Sequence, residues 1–151
     1  MADIQYLVNK PFVVKWVSDK LKGDVDLPLT SPSYGVMIDG KLAGGVVFVG
    51  YDGHNSYMHV ASDGSRRWIT KKLIRMTFAL PFILAGCRRV TGLVRTDNLE
   101  AQHFDEKLGF KREGIIRKAD FDGCDLIVYG MLKEECRWIK GMTYGKQGQQ
   151  Q

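Results

Sequence analysis

Three short runs rich in β-branched and aromatic residues, Tyr34–Ile38, Lys41–Val49 and Ser56–Ala61, follow one another with only turn residues between them. The separators are Asp39-Gly40 and Tyr51-Asp52-Gly53, where glycine after aspartate supplies the positive φ that tight hairpins need. The pattern predicts an antiparallel meander of three strands, which fixes one half of a sheet before any other element is placed. A chain of 151 residues can cover such a sheet with a core of its own, without disulfides or metals.

After the meander the period changes. From Ser65 to Arg95 the chain carries eight basic residues (Arg66, Arg67, Lys71, Lys72, Arg75, Arg88, Arg89, Arg95) and no Asp or Glu. Ile69, Leu73, Met76 and Leu80 recur at steps of four, three and four, which is one buried stripe of an amphipathic helix. Arg67, Lys71 and Arg75 recur at fours and are expected to share another side of it. The spacing predicts a basic helix beginning just after the third strand, with Trp68 in its first turn, where amides and the helix dipole favour an anion. A merely solvated basic face is the alternative. Pro81 lacks a backbone donor and is expected to kink or end the helix, leaving Phe82–Gly86 as a final turn.

On the N-terminal side, Asp3–Val8 reads as a short strand and Asn9 is placed to cap a helix with Pro11 in its first turn. Phe12, Trp16, Val17 and Leu21 continue at helical spacing until Gly23. Asp24–Ser33 holds two prolines and reads as a loop that could arch over a site, with the hairpin Tyr51–Ser56 as a second wall. Beyond the basic run, Arg89–Val94 is expected as a strand. Asp97 or Asn98 then caps a helix Leu99–Lys107 that stops at Gly109. Phe110–Ile116 and Leu126–Leu132 close the chain as a hairpin around Asp122-Gly123. The order gives an α+β protein with a mixed sheet. Residues 1–144 read as one domain and Gly145–Gln151 as a frayed polar tail.

A formal net charge of +5 favours an anionic partner. The basic run lacks the aromatic interleaving of a single-strand nucleic-acid binder, so a phosphorylated ligand is the better fit. Cys87, Cys124 and Cys136 lie far apart with no CxxC and no His at ligand spacing, which indicates reduced thiols in a cytoplasm and neither a disulfide framework nor a metal site. No run reaches the roughly 18 apolar residues of a membrane span, and the N-terminus lacks the core of a signal peptide. Monomer and homodimer both fit.

The downstream segments Asn98-Leu-Glu-Ala101, Glu106-Lys-Leu-Gly-Phe110, Glu113-Gly114 and Val128-Tyr-Gly-Met131 together resemble the C-terminal half of the GNAT (GCN-related) N-acetyltransferases. They are nearest the ribosomal-protein N-terminal acetyltransferase-like branch. The resemblance covers Tyr34 to Trp138 and is strongest from Arg89 onward; the segment Glu135–Trp138 is similar to one in bacteriophage-encoded members. It implies a bent, mostly antiparallel mixed sheet with two central parallel strands that splay apart, flanking helices, and acetyl-coenzyme A lying in the gap. The acceptor would be an amine of a protein or small molecule. The coenzyme would meet the strand that ends at Ala61, then the loop and helix start formed by Ser65, Arg66, Arg67, Trp68, Ile69, Thr70 and Lys71, and Asn98 from the other side. Trp68 and Thr70 stand where members usually carry glycines, Asp105 where many carry Tyr, and Ala101 where the ribosomal branch carries Ser.

Acetyl transfer to an amine needs a neutral nucleophile, a polarised thioester and a route for protons. His59 shares one face of its strand with Tyr57 and Ala61 and titrates near neutrality, so it is the first candidate base. Glu113 is the second, and Tyr129 is a candidate proton donor. The plainer roles are a partly buried structural histidine, an ion-pair partner and a sheet aromatic. A protein that keeps this fold as a binding module without turnover is the second functional reading.

Overall fold

The computed structural model describes residues 2–143; the tail expected at Gly145–Gln151 lies outside the described residues. Seven strands form one sheet in the order β1-β2-β3-β4-β5-β7-β6. They are β1 (Ile4–Val8), β2 (Ser33–Ile38), β3 (Lys41–Val49), β4 (Asn55–Ser62), β5 (Arg89–Arg95), β6 (Lys111–Ile116) and β7 (Leu126–Leu132). Helices α1 (Pro11–Lys20), α2 (Lys71–Ala79) and α3 (Leu99–Leu108) connect and cover them. Every pairing is antiparallel except β4 with β5, so the expected mixed, mostly antiparallel α+β architecture is what the chain adopts.

The meander closes as its turns require, with Asp39 and Gly40 both at positive φ. α1 lies close on one face of the sheet because Gly35 and Gly45 have no side chains: a Cβ at either would fall 2.7 Å from a methyl of Val13 or Val17. Val13, Val14, Val17, Val47 and Ala61 make a small core there. On the opposite face α2 and α3 bury the larger core, in which Phe78, Phe82, Val90, Tyr129 and Met131 are wholly enclosed. Each such side chain contributes about 1.5–3 kcal/mol by leaving water.

Two local expectations are corrected and a third is made specific. Asn9 does not cap α1; Lys10 occupies that position without a side-chain bond. Asn9 instead takes φ +54 and joins β1 to β2: its Oδ1 accepts from the Ser33 amide at 2.9 Å, while its own amide donates to the Ser33 carbonyl at 2.8 Å. The basic helix begins at Lys71, since Thr70 is extended and caps it by accepting from the Leu73 amide. Arg67 and Trp68 are therefore loop residues, and the stripe of Arg67, Lys71 and Arg75 is not continuous. Pro81 does change the helix, into a π-helical segment Leu80–Leu84 in which the Ala85 amide reaches the Leu80 carbonyl.

Candidate active site

β4 and β5 pair through three residues only, Asn55 with Arg89, Ser56 with Val90 and Tyr57 with Thr91. Beyond Tyr57 and Thr91 the two parallel strands splay. The edge of β4 from Met58 to Ser62 faces the gap without a β5 partner, and β5 continues on β7. Peptide groups left facing a gap between central strands are groups that a ligand can satisfy.

At the open end of β4 the chain turns through Asp63–Thr70 into α2. Much of this loop is held internally. Gly64 sits at φ +98, and Ser62 Oγ accepts from the Gly64 amide and from Trp68 Nε1 and donates to the Ser65 carbonyl. Asp63 Oδ1 accepts from the Ser65 amide at 2.8 Å. What remains is a set of donors. The amides of Arg66, Arg67, Trp68, Lys71 and Lys72 find no acceptor among the described residues, and the buried Ser65 hydroxyl has no partner. Arg66, Arg67, Lys71 and Lys72 are exposed and form no ion pair among the described residues. Lys72 Nζ rests over the Tyr6 ring. Free amides, an orphaned hydroxyl and four cations together suit a phosphorylated ligand.

Trp68 is placed otherwise than the sequence implied. Its indole is 2% exposed and occupies the space where Gly44 lacks a side chain, with the Phe104 ring 6.3 Å away. It packs the bottom of the cleft between α2, α3 and β4, whose free volume is about 20 Å³. Thr70 Oγ1 shares a 2.9 Å hydrogen bond with the Tyr6 hydroxyl, and Ile69 packs partly buried beside Trp68.

His59 lies two residues past the last β4–β5 pair, on the α1 face with Ala61. Partial burial lowers its pKa, so the imidazole is neutral at pH 7. Asn98, across the gap, caps α3 by accepting from the Ala101 amide at 3.0 Å. The other two candidates lie elsewhere. Glu113 is gripped by Arg89, Nη2 to Oε1 at 2.6 Å and Nη1 to Oε2 at 3.2 Å, at the end of the sheet where β4 and β5 are still paired. Tyr129 is fully buried and its hydroxyl donates to Glu106 Oε2 at 2.6 Å; burial raises its pKa. The hairpin Tyr51–Ser56 also belongs to the paired end and does not wall the gap.

The wall at the open end comes instead from the β6–β7 turn. Arg95 donates to Asp97, Asp120 and Asp122 and lies against the Phe121 ring, which in turn packs on Gly23 after α1. These bonds hold the Asp122 carboxyl down at about 2. Local pattern carries no signal for that closure, because its partners come from three separate segments.

No family model matches the sequence, nor does any curated protein. Solved structures do. Ard1 of Thermoplasma volcanium superimposes with a TM-score of 0.66 at 18% identity, over 87% of this chain and 97% of that one. A mutant of the spermidine N-acetyltransferase SpeG of Vibrio cholerae gives 0.69 at 12%, over 87% and 94%. An acetyltransferase of the GNAT family from Streptococcus pneumoniae gives 0.63 at 19%, over 86% and 99%. With its parallel pair opening between α2 and α3, this chain has the GNAT acetyltransferase fold.

Proposed function

We propose that the protein is an N-acetyltransferase that moves an acetyl group from acetyl-coenzyme A to an amine. The observation that carries this reading is the alignment of the β4–β5 gap with the donor-rich loop at its mouth. The pyrophosphate would lie on the amides of Arg66, Arg67 and Trp68 and the first turn of α2, with Ser65 Oγ as a further donor. Arg66, Arg67, Lys71 and Lys72 would neutralise it and the 3′-phosphate. The pantetheine arm would run along the unpaired edge of β4 toward Ala61 and His59, with Asn98 on the far side. An amide of that edge would polarise the thioester carbonyl. His59 takes the proton as the amine nitrogen attacks, directly or through one water. The amine approaches from the α1 face, where the Asp24–Ser33 loop and the Phe121 turn flank the opening. The acceptor is a small amine such as a polyamine or an amine of a protein, as in the ribosomal-protein branch that the sequence resembles. The protein acts in the cytoplasm as a monomer or homodimer.

Titration calorimetry with acetyl-coenzyme A, followed by thiol release across spermidine, a lysine peptide and a peptide with a free N-terminus, tests this. Binding in the micromolar range with release by at least one amine is expected; no binding at high micromolar concentration sinks the proposal. Trp68 supports a second reading, a binding module of the same fold, because it fills space at the bottom of the cleft that a ligand would otherwise use. Binding without release by any amine would favour that second reading.

A further inference from the structure

The face of the sheet that carries His59 is only partly covered. α1 packs there over Val47 of β3 and Ala61 of β4, while β5, β7 and β6 turn alternate residues outward on the same side. Arg89, Thr91 and Leu93 of β5 register with Leu132, Gly130 and Val128 of β7, and Asn55, Tyr57 and His59 of β4 continue the rows. Ile116 of β6 joins them opposite Leu126. Tyr57, Leu93, Ile116 and Leu132 are exposed, so an apolar shelf runs from the gap down to the paired end of β4 and β5.

The shelf ends in a cavity of about 460 Å³. Asn55, Arg89 and Leu132 of the shelf line it, and Arg88, Lys133 and His54 stand exposed around it. Backbone bonds fix this rim: the His54 carbonyl accepts from the Arg88 amide at 2.8 Å, and the Arg88 carbonyl accepts from the Lys133 amide at 2.9 Å. Arg89 is taken up by Glu113 and by the Thr91 hydroxyl. That hydroxyl donates to Asn55 Oδ1 at 2.7 Å, which leaves the Asn55 side-chain nitrogen to donate elsewhere. Arg88 and Lys133 form no ion pair among the described residues, and Glu134 is the one carboxylate of the lining. The cavity therefore favours an anion.

That anion is not part of the coenzyme. The donor-rich loop that suits phosphates begins beyond Ser62, seven residues along β4 from Asn55, about 23 Å of strand. His59 is nearer, four residues from Asn55 and about 13 Å away. Resting on the acetyl-transfer reading, we propose that the acceptor is an extended peptide with a free N-terminus whose fourth or fifth residue is acidic and is held by Arg88 and Lys133. An extended peptide advances about 3.3 Å per residue, so with its amine at His59 the first residues lie along Tyr57 and Leu93 and the fourth or fifth reaches the cavity. A polyamine reaching as far would set ammonium groups against the two cations. At the gap end it would find Asp97, Asp120 and Asp122 already taken by Arg95.

Thiol release by the full chain at saturating acetyl-coenzyme A is compared for two octapeptides with the same free N-terminal alanine, differing only in two glutamates or two lysines at positions four and five, with spermidine alongside. The glutamate peptide is expected to exceed the lysine peptide at least about tenfold in kcat/KM, mainly through KM, and the ratio should shrink as salt is added. With Arg88→Glu and Lys133→Glu together the preference should reverse, the lysine peptide rising above its wild-type rate, which a damaged fold would not produce. Moving the glutamates to positions seven and eight should abolish the gain in the wild type, a comparison that needs no variant. Equal kcat/KM for the two first peptides overturns the proposal, as does a gain that survives the move to seven and eight, a glutamate preference that the double variant retains, or turnover of spermidine alone. If no amine releases thiol, fluorescence anisotropy of the same peptides labelled at the C-terminus, with coenzyme A present, makes the same comparison by affinity. Calorimetry separates the two levels: absence of acetyl-coenzyme A binding removes the acetyl-transfer reading and this acceptor with it, whereas binding and turnover without the peptide preference remove this acceptor alone.

Discussion

At the scale of single residues, His59 and Trp68 make opposite demands on the cleft. His59→Ala is expected to lower turnover by about 100-fold, the usual contribution of a positioned base, while coenzyme affinity measured by calorimetry stays within about twofold. Because burial lowers the imidazole pKa, the acid limb of wild-type kcat/KM should fall below the ordinary 6.5 of histidine; a midpoint at or above that value places the base elsewhere. Trp68→Ala should destabilise the protein by about 3–5 kcal/mol in urea unfolding, since it empties the space between Gly44 and Phe104. The alternation of Tyr57, His59 and Ala61 made the facing of His59 legible in the sequence. A core or ligand-packing role was the simplest reading of Trp68, but the space it fills was not legible, because that depends on Gly44, a residue twenty-four positions upstream that looks like any other strand glycine. The burial of Asp105 on α3 did leave a trace, in its three-residue steps from Gln102 and to Leu108, but a carboxylate in a buried stripe reads as a break in the pattern until the strand beneath it is known.

At the scale of elements, the loop Asp63–Thr70 and the start of α2 form one device. Arg67→Glu is expected to weaken acetyl-coenzyme A binding at least tenfold, with the loss shrinking as salt screens the charges; unchanged affinity would return these cations to the solvated surface. Thr70→Ala should cost about 1 kcal/mol of stability, the ordinary value of a lost helix cap. The periodicity Ile69, Leu73, Met76, Leu80 correctly marked the buried side of this region, since all four join one cluster. It overran the helix start because burial recurs at the same spacing whether Ile69 is helical or in a turn packed against the helix. The chemistry that sets the boundary is the Thr70 hydroxyl on the Leu73 amide, the cap-to-N3 bond. Pro81 was legible for the reason it always is, the missing donor, although the wider π turn that absorbs it, closed by the Ala85 amide on the Leu80 carbonyl, was not.

For the whole molecule, the strand and helix order was readable because each element carries its own period and punctuation. The splay was not readable, since it is a property of two strands separated by about thirty residues, and only the resemblance pointed to it. Asp105 sets how stability depends on pH. Burial lifts its carboxyl to about 7, which against roughly 3.9 in the unfolded chain amounts to about 4 kcal/mol. That contribution is fully present below about pH 4 and is lost as pH rises through 7. Urea unfolding between pH 4 and 8 should show this decline in the wild type and a flatter curve in Asp105→Asn. The three residue pairs that join β4 to β5 have a mechanical meaning as well. They make the sheet two leaves on a short spine, one leaf built from β1 to β4 with α1 and the other from β5 to β7 with α3. A ligand lying along the unpaired part of β4 would act as the absent rungs of that ladder. Hydrogen exchange should then slow at the amides of Met58–Ser62 that face the gap when acetyl-coenzyme A is added, and the two leaves should melt together at a higher temperature.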